Sequence, residues 1–351
     1  MKVIHIESGL GNQMLSYCEY LAIKKMNPED QIYIETIIFE IPECNEVICQ
    51  WNGYELEKIF EIKAPNIKEL FSEPEWQQII SEIRETRFWG RNWNYPVHFT
   101  NVLRKHGLNL VNTKGNFELD GSDRICTDKT MTLKGRIKNS YLYSNLLRLK
   151  NNLCESKHIA KFNNYSNIFV KSDENLFMGQ QLSMYYRGNG IETLDSELRQ
   201  AFTFPSFTDE KNISMAARLD ECNAVALNVR RGDAMYSNAW IYNCGYFKRA
   251  IKFIRQNVED PVFVFITDPK SVPWCKENAK RIFGLDVTKD TVLYIDWNKG
   301  EDSFRDMQLM THCKHAIISY SSFGWFGAYL IPYPDKITIS PLLEIETTHH
   351  F

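Results

Sequence analysis

Two adjacent arginines, Arg230 and Arg231, followed by Gly232 and Asp233, close the run VALNVRRGD at Val225–Asp233. Mostly apolar residues lead into them, so the pair falls where a buried strand ends. Doubled positive charge at such a strand edge is costly unless something anionic offsets it. Arginine is permanently charged, and its planar fork grips phosphate oxygens two at a time. Gly232 lets a ligand come close to the backbone. Neighbouring strand side chains point to opposite faces, so one arginine reaches a ligand while the other braces the site through a carboxylate. Two plainer readings compete. One is a surface ion-pair patch; the other is Arg231-Gly232-Asp233 as an adhesion tripeptide. The tripeptide needs an exposed extracellular loop, and the strand before it opposes that.

Four further stretches carry groups suited to a nucleotide. SGLGNQM, Ser8 to Met14, combines Gly9 and Gly11 at a tight turn with the side-chain donors of Asn12 and Gln13. The helix that follows offers its N-terminus to an anion. Its spacing departs from the dinucleotide fingerprint, and no acidic ribose ligand follows. VFITD ends in Thr267 and Asp268; they read either as ligand contacts at a strand end or as a helix cap. Asp306 falls on a helical wheel between Leu309 and Met310 on one side and Cys313 on the other. A carboxylate inside an apolar arc needs a dedicated partner. A guanine base supplies two adjacent N–H groups, whereas the helix dipole alone would suit a half-exposed residue. In SYSSFGWFG, Ser321 and Ser322 can cap a helix and hold phosphate oxygens. Phe323, Trp325 and Phe326 read first as core.

These residues need elements to position them, and the C-terminal part supplies a regular alternation. Strands are expected at AVALNV, PVFVFITD, TVLYID, HAIISY and KITIS, with helices between them. Such alternation implies a parallel, doubly wound sheet, whose ligands bind at the carboxyl ends of the strands. The N-terminus starts a second unit of this kind. Lys2 to Ile6 is a strand, Met14, Leu15, Cys18, Leu21 and Ala22 recur at helical spacing, and Asn27-Pro28 ends the helix before the strand QIYIET. Between them lies an aromatic-rich, irregular middle with a helix at NIKELFSEPEWQQIISEI. The expected domains are 1–210 and 211–351.

Composition narrows the class. The 351 residues suit about two domains. A net charge of −3, mixed along the chain with no long like-sign run, argues against a nucleic-acid partner. Glu7 and Gly9 break the apolar start, which excludes a signal peptide, and nothing approaches the roughly 20 apolar residues of a membrane span. A cytoplasmic location is expected. The nine cysteines are scattered with no CxxC pair, so they read as small buried hydrophobes rather than zinc ligands or disulfides.

Taken together, GLGNQM at 9–14, LRQAFTF at 198–204, VRRGD at 229–233, ITD with WCKEN at 266–278, and DMQLMTHCKHAIISYSSFGWFGAYL at 306–330 resemble the α-1,2-fucosyltransferases, glycosyltransferase family eleven. The resemblance implies a GT-B-type α/β fold, with two Rossmann-like domains facing across a cleft. The C-terminal domain would hold GDP-fucose and the N-terminal domain an oligosaccharide acceptor with terminal galactose. It implies inverting, metal-independent transfer in bacterial glycan synthesis, with GDP-fucose as a substrate and no cofactor. Arg230 would steady the leaving diphosphate, Arg231, Gly232 and Asp233 would shape the loop, and Asp306 would read guanine. Asn228, Thr267, Asp268, Ser321, Ser322 and Phe323 would complete the donor side, with Gly9, Gly11, Asn12 and Gln13 closing from the other domain. Peripheral membrane association is expected if the acceptor is lipid-linked.

Departures from the family pattern stand at three places. Asn228 replaces the usual histidine before VRRGD, Ala234 replaces the aromatic after it, and YYRGN at 185–189 replaces a Tyr-Trp-Gln-Ser stretch on the acceptor side. No motif histidine is left to act as base. Asp233, expected with Arg230 to be catalytic, and Glu7 are candidates by position. His5, His312 and His315 read as structural, and His349 and His350 as a disordered tail. Alternatives are transfer of another GDP-sugar, protein O-fucosylation, or a GDP-sugar-binding protein that has lost catalysis.

Overall fold

The computed structural model describes residues 1–44, 52–90, 95–112, 174–178, 191–231, 235–342 and 345–351, together with 137, 140, 142, 143, 145, 146, 149 and 150. The chain divides into two compact units. The first comprises Met1–Asp128, Asn164–Ser183 and Gly188–Thr203; the second comprises Lys129–Asn163, Met184–Arg187 and Phe204–Phe351. The second unit thus takes up its main run at Phe204, just before the Pro205-Ser206 break in composition.

In the first unit, β1 (Lys2–His5) pairs in parallel with β2 (Ile32–Glu35) on one side. On its other side come β4 (Leu176–Met178) and then β3 (Val111–Asn112), giving the order β2-β1-β4-β3. All four residues of β1 are buried, as a central strand with two covered faces requires. Helix α1 (Leu10–Met26) follows β1 and ends where Asn27 donates its backbone N–H to Ile23 O. Helices α2 (Leu56–Phe60), α3 (Glu73–Glu85) and α4 (Tyr95–Lys105) come next. The long helix expected around 66–83 is split. A short 3₁₀ turn at Ile67–Leu70 precedes Ser72, which starts α3 through a capping box with Glu75. Trp76, Ile79, Ile80 and Ile83 of α3 pack with Phe88, Phe99, Phe177 and Val3 into the core of this unit. Helix α5 (Asp195–Ala201) closes it.

The second unit opens with α6 (Glu210–Asp220), capped by Asp209, and runs into β5 (Asn223–Asn228). Helices α7 (Met235–Asn243) and α8 (Tyr246–Asn257) lead to β6 (Pro261–Ile266). Helix α9 (Val272–Glu277), extended by a π-helical turn at Ala279–Phe283, leads to β7 (Thr291–Ile295). Then come α10 (Phe304–Thr311), β8 (His315–Ile318), α11 (Ser322–Leu330), β9 (Thr338–Ser340) and β10 (His349–His350). All pairings are parallel, in the order β10-β9-β8-β5-β6-β7. Read from the β7 edge, this is the 3-2-1-4-5-6 order of a dinucleotide-type Rossmann sheet. The expected parallel, doubly wound α/β unit is present. Its core joins the inward residues of β5 and β6 to Tyr246, Phe247, Ile251 and Ile254 of α8.

One sequence expectation is corrected here. His349 and His350 do not form a loose tail: they add a sixth strand beside β9, and the Phe351 N–H donates to Ser340 O. The rings of His349 and Phe351 both lie against Phe253. A two-residue strand carries no periodic signal, so only its packing reveals it. Among the described residues no helix is long and apolar enough to cross a membrane.

Candidate functional site

Chain order reverses between β5 and β8, and a sheet of this type opens its ligand crevice there. Asn228 ends β5, in register with Ile318 of β8 and Ile266 of β6. The turn after it is held by three side chains. Ser319 donates from both its backbone N–H and its hydroxyl to Asn228 O, at 3.0 and 2.7 Å, and accepts the Arg230 N–H at 3.0 Å. The Tyr242 hydroxyl donates to Arg230 O at 2.7 Å, and the Thr267 hydroxyl to Val229 O at 2.6 Å. Fixing the backbone on both sides of Arg230 holds its Cα ready for a ligand without a further ordering cost.

Arg231 is placed otherwise than expected. Its guanidinium lies over the ring of Trp274, 3.6 Å from the centroid, at cation–π distance. Burial holds this guanidinium below arginine's ordinary value, and its Nε is buried without a hydrogen-bond partner. An aromatic face, rather than a carboxylate among the described residues, orients the side chain. Arg230 is half-buried at the same strand end. Gly232, Asp233 and Ala234, and the 185–189 stretch, lie outside the described residues.

Across the switch point, Ser321 caps α11 by accepting the Gly324 N–H at 3.3 Å. Asn228 is buried against this first turn, and its side-chain oxygen has no hydrogen-bond partner. Ser322 and Phe323 are half-buried on the same turn, whereas Trp325 and Phe326 are core. A helix N-terminus with two arginines at the neighbouring strand end can receive an anionic group.

Two expected contacts belong to the scaffold. The Thr267 hydroxyl is given to Val229 O, and Asp268 accepts the Lys270 N–H at 3.0 Å, the helix-cap reading. Gln13 is a third correction. It is fully buried, its amide donates to Ser8 O and Gly53 O, and its oxygen accepts the Glu55 N–H. Both its donors and one of its two acceptor positions therefore go to the fold of the first unit. Gly9 is the N-cap of α1 without a side-chain cap, Gly11 is buried in the first turn, and Asn12 is half-buried beside it.

Asp306 lies in the first turn of α10, 9% exposed. Its dedicated partner within the chain is Asn298, whose amide donates to it at 2.8 Å. Asn298 in turn pairs with Asn212, which also accepts from the Trp297 ring N–H and donates to Asp209. Burial pushes the Asp306 carboxyl up to about 7, with the Asn298 bond opposing the shift. The group therefore changes charge near neutrality.

In the first unit, fully buried His5 lies between two carboxylates, Glu35 at 2.5 Å from Nδ1 and Glu7 at 3.3 Å from Nε2. Burial alone would lower its pKa, but the carboxylates outweigh that and raise it to about 9. His5 is core, as expected, but a charged core residue. Four contributors escaped the sequence reading: Ser319, Tyr242, Trp274 and Asn298. Trp274 and Ser319 stood inside stretches already singled out, and their positions opposite strand ends were the available signal.

Residues 153–343, more than half of the chain, match the model of glycosyl transferase family 11. The chain belongs to that family. A similar curated family protein is the α-1,2-colitosyltransferase of Escherichia coli, 32% identical over 151 residues. That match covers 41% of this chain and 49% of the relative. Another is galactoside α-(1,2)-fucosyltransferase 1 of Saimiri boliviensis boliviensis, 28% identical over 149 residues, 39% of this chain and 38% of the relative. The chain thus spans about half or less of the length of these relatives. Among solved structures, NodZ α-1,6-fucosyltransferase soaked with GDP-fucose aligns at TM-score 0.43 and 12% identity, covering 96% of this chain and 94% of that one. The family assignment agrees with the resemblance read from the arginine, serine and aspartate motifs, most of which lie inside the matched region.

Proposed function

We propose that the protein transfers L-fucose from GDP-β-L-fucose to a galactoside hydroxyl, forming an α-1,2 linkage in a bacterial glycan. The observation that carries this reading is the meeting of Arg230, Arg231 and the N-terminus of α11 at the β5/β8 switch point, in a chain of this family. The acceptor oxygen attacks the anomeric carbon from the face opposite the diphosphate. The bond from that carbon to the phosphate oxygen breaks, and GDP leaves with the electron pair. The configuration inverts. Charge grows on the diphosphate as the bond breaks, and Arg230 is the group that stabilises it there, the role a divalent cation would otherwise fill. Arg231, flattened on Trp274, presents its N–H edge to the same anion. Asp306 and Asn298 form the polar end that reads guanine. The acceptor proton passes to a carboxylate, for which Asp233 is the candidate.

A second donor is favoured by one observation: the relative at 32% identity is named a colitosyltransferase. The deciding experiment is thermal-shift binding of GDP-fucose, GDP-colitose, GDP-mannose, UDP-galactose and GDP, with and without EDTA, followed by transfer to a galactoside and assignment of the linkage. At 100 times its dissociation constant a true donor adds about 2.7 kcal/mol. Stabilisation by GDP ligands alone, unchanged by EDTA, supports the reading. Stabilisation by the UDP-sugar, or only with metal present, overturns it.

A further inference from the structure

Among the described tryptophans, Trp76, Trp89, Trp240, Trp274 and Trp325 each lie against another ring, a cation or the core. Trp297 is the exception. It is half-buried, and no ring or cation among the described residues lies against it. Its one polar atom is committed, because the ring N–H donates to the Asn212 side-chain oxygen at 2.9 Å. That bond fixes the rotation of the ring and leaves its face without an aromatic or cationic partner. Three hydrogen bonds in series then join the ring to Asp306. The Asn212 oxygen that accepts from Trp297 also accepts from Asn298 at 3.2 Å, and the same Asn298 amide donates to Asp306 at 2.8 Å. The remaining groups of the two asparagines go to each other and to Asp209. All five residues belong to the second unit.

Two groups of this network are left for a ligand. One is the Trp297 face. The other is the second oxygen of Asp306, which accepts nothing among the described residues although the side chain is only 9% exposed. A planar base that carries N–H groups on its edge suits both. A pyranose could also lie on a ring and give a hydroxyl to a carboxylate, so the place decides. Trp297 and the first turn of α10 follow β7, which lies two strands from β5, about 10 Å away. A base tied through its ribose to a diphosphate at the switch point reaches that far. The transferred sugar, bonded directly to the diphosphate, stays by the arginines, and so does the hydroxyl that attacks it. We propose that the open face of Trp297 is the platform on which the guanine base of the donor stacks, in line with Asp306 at the base edge. Stacking supplies affinity whichever base is present, whereas the carboxylate supplies the preference for guanine. The proposal rests on the guanine reading given above and adds to it a residue that lies in none of the motifs.

The test is calorimetric titration of the full chain with GDP, inosine diphosphate and UDP, with tryptophan fluorescence followed alongside, in wild type, Trp297→Phe and Trp297→Leu. Inosine diphosphate lacks the 2-amino group of guanine. Trp297→Leu should weaken GDP and inosine diphosphate by one common factor of at least about fivefold, since stacking does not read the base edge. Trp297→Phe also loses the N–H bond to Asn212 but keeps a ring, so it should retain most of the affinity. GDP should quench the fluorescence of wild type more than that of Trp297→Phe. Unchanged GDP affinity in Trp297→Leu overturns the platform. So do equal losses in the two variants, which would assign the effect to the N–H bond, and equal quenching in wild type and Trp297→Phe. Failure of the guanine reading looks different: wild type would bind UDP as tightly as GDP, or bind neither, and the platform would fall with it.

Discussion

The side-chain oxygen of Asn228 lies 2.2 Å from the point a Cβ at position 324 would occupy, and its Cγ lies 2.6 Å away. Glycine at 324 is therefore what allows the end of β5 to sit against the first turn of α11. Asn228 is 5% exposed and has nowhere to swing. Gly324→Ala should destabilise the protein by about 1–3 kcal/mol and weaken GDP binding, because the switch point must open. The double variant Asn228→Ala/Gly324→Ala should recover most of the melting temperature but not the binding. Asn228→His, which restores the residue the family more often has there, should fold and bind GDP, since a ring nitrogen can take the place of the amide oxygen. Equal melting of Gly324→Ala and wild type in denaturant titrations would show that the two elements are not in this contact.

The two arginines should separate by kinetics. Arg230 is held at the strand end through its backbone by Ser319 and Tyr242, contacts that Arg230→Ala keeps. Transfer should fall on the order of 10²–10³-fold in kcat, with normal melting. Arg231 depends on Trp274 for its orientation. Trp274→Leu should therefore reproduce most of the loss of donor affinity seen in Arg231→Ala, while Arg231→Lys recovers little, because lysine cannot stack as a plane. Additive losses in the Arg231→Ala/Trp274→Leu double variant would mean that the stack does not position the arginine.

How much of this the sequence carried depended on the range of the interaction. Strand–helix alternation is local, and β5, β6, β7 and β8 appear within a residue or two of their expected ends. The strand ends in turn placed Asn228, Arg230 and Ser321 correctly on one edge of a sheet. What was not legible was who claims each polar group. Gln13 looks like a ligand donor until Gly53 and Glu55, distant in sequence, take its amide. Thr267 likewise looks available until Val229 O is beside it. Asp306 shows the intermediate case. Its position in an apolar arc announced a dedicated partner, but the partner within the chain, Asn298, sits in a loop with no pattern of its own.

Asp306 should show a conflict between function and stability. Burial raises its carboxyl from 3.8 to about 7, so the folded chain holds that proton more tightly than the unfolded one. Stability attributable to this group therefore falls as pH rises from 3.8, and the loss is complete above about 7. Asp306→Asn keeps an acceptor for Asn298 and removes the buried charge. It should melt higher than wild type at pH 8, by a margin of order 2–4 kcal/mol, and match it near pH 4. If the ionised carboxylate reads guanine, wild-type preference for GDP over UDP should grow between pH 6 and 8, and Asp306→Asn should lose that preference at every pH. An unchanged preference in the variant would remove Asp306 from the guanine site and leave it a purely structural group.

His5 gives a dependence of the same sign in a higher pH window. Its folded pKa, raised from 6.5 to about 9 by Glu35 and Glu7 against the effect of burial, means that the imidazolium supports the fold. That support is fully present below pH 6.5 and is lost as pH climbs through 9, an amount of about 3 kcal/mol. Wild-type melting temperature should therefore decline between these two values. His5→Gln should be destabilised already at pH 6, by about 3–5 kcal/mol, because two buried carboxylates lose their shared cation. It should also lack the decline. The same slope in both proteins would assign the pH dependence to other groups and make His5 a neutral core residue.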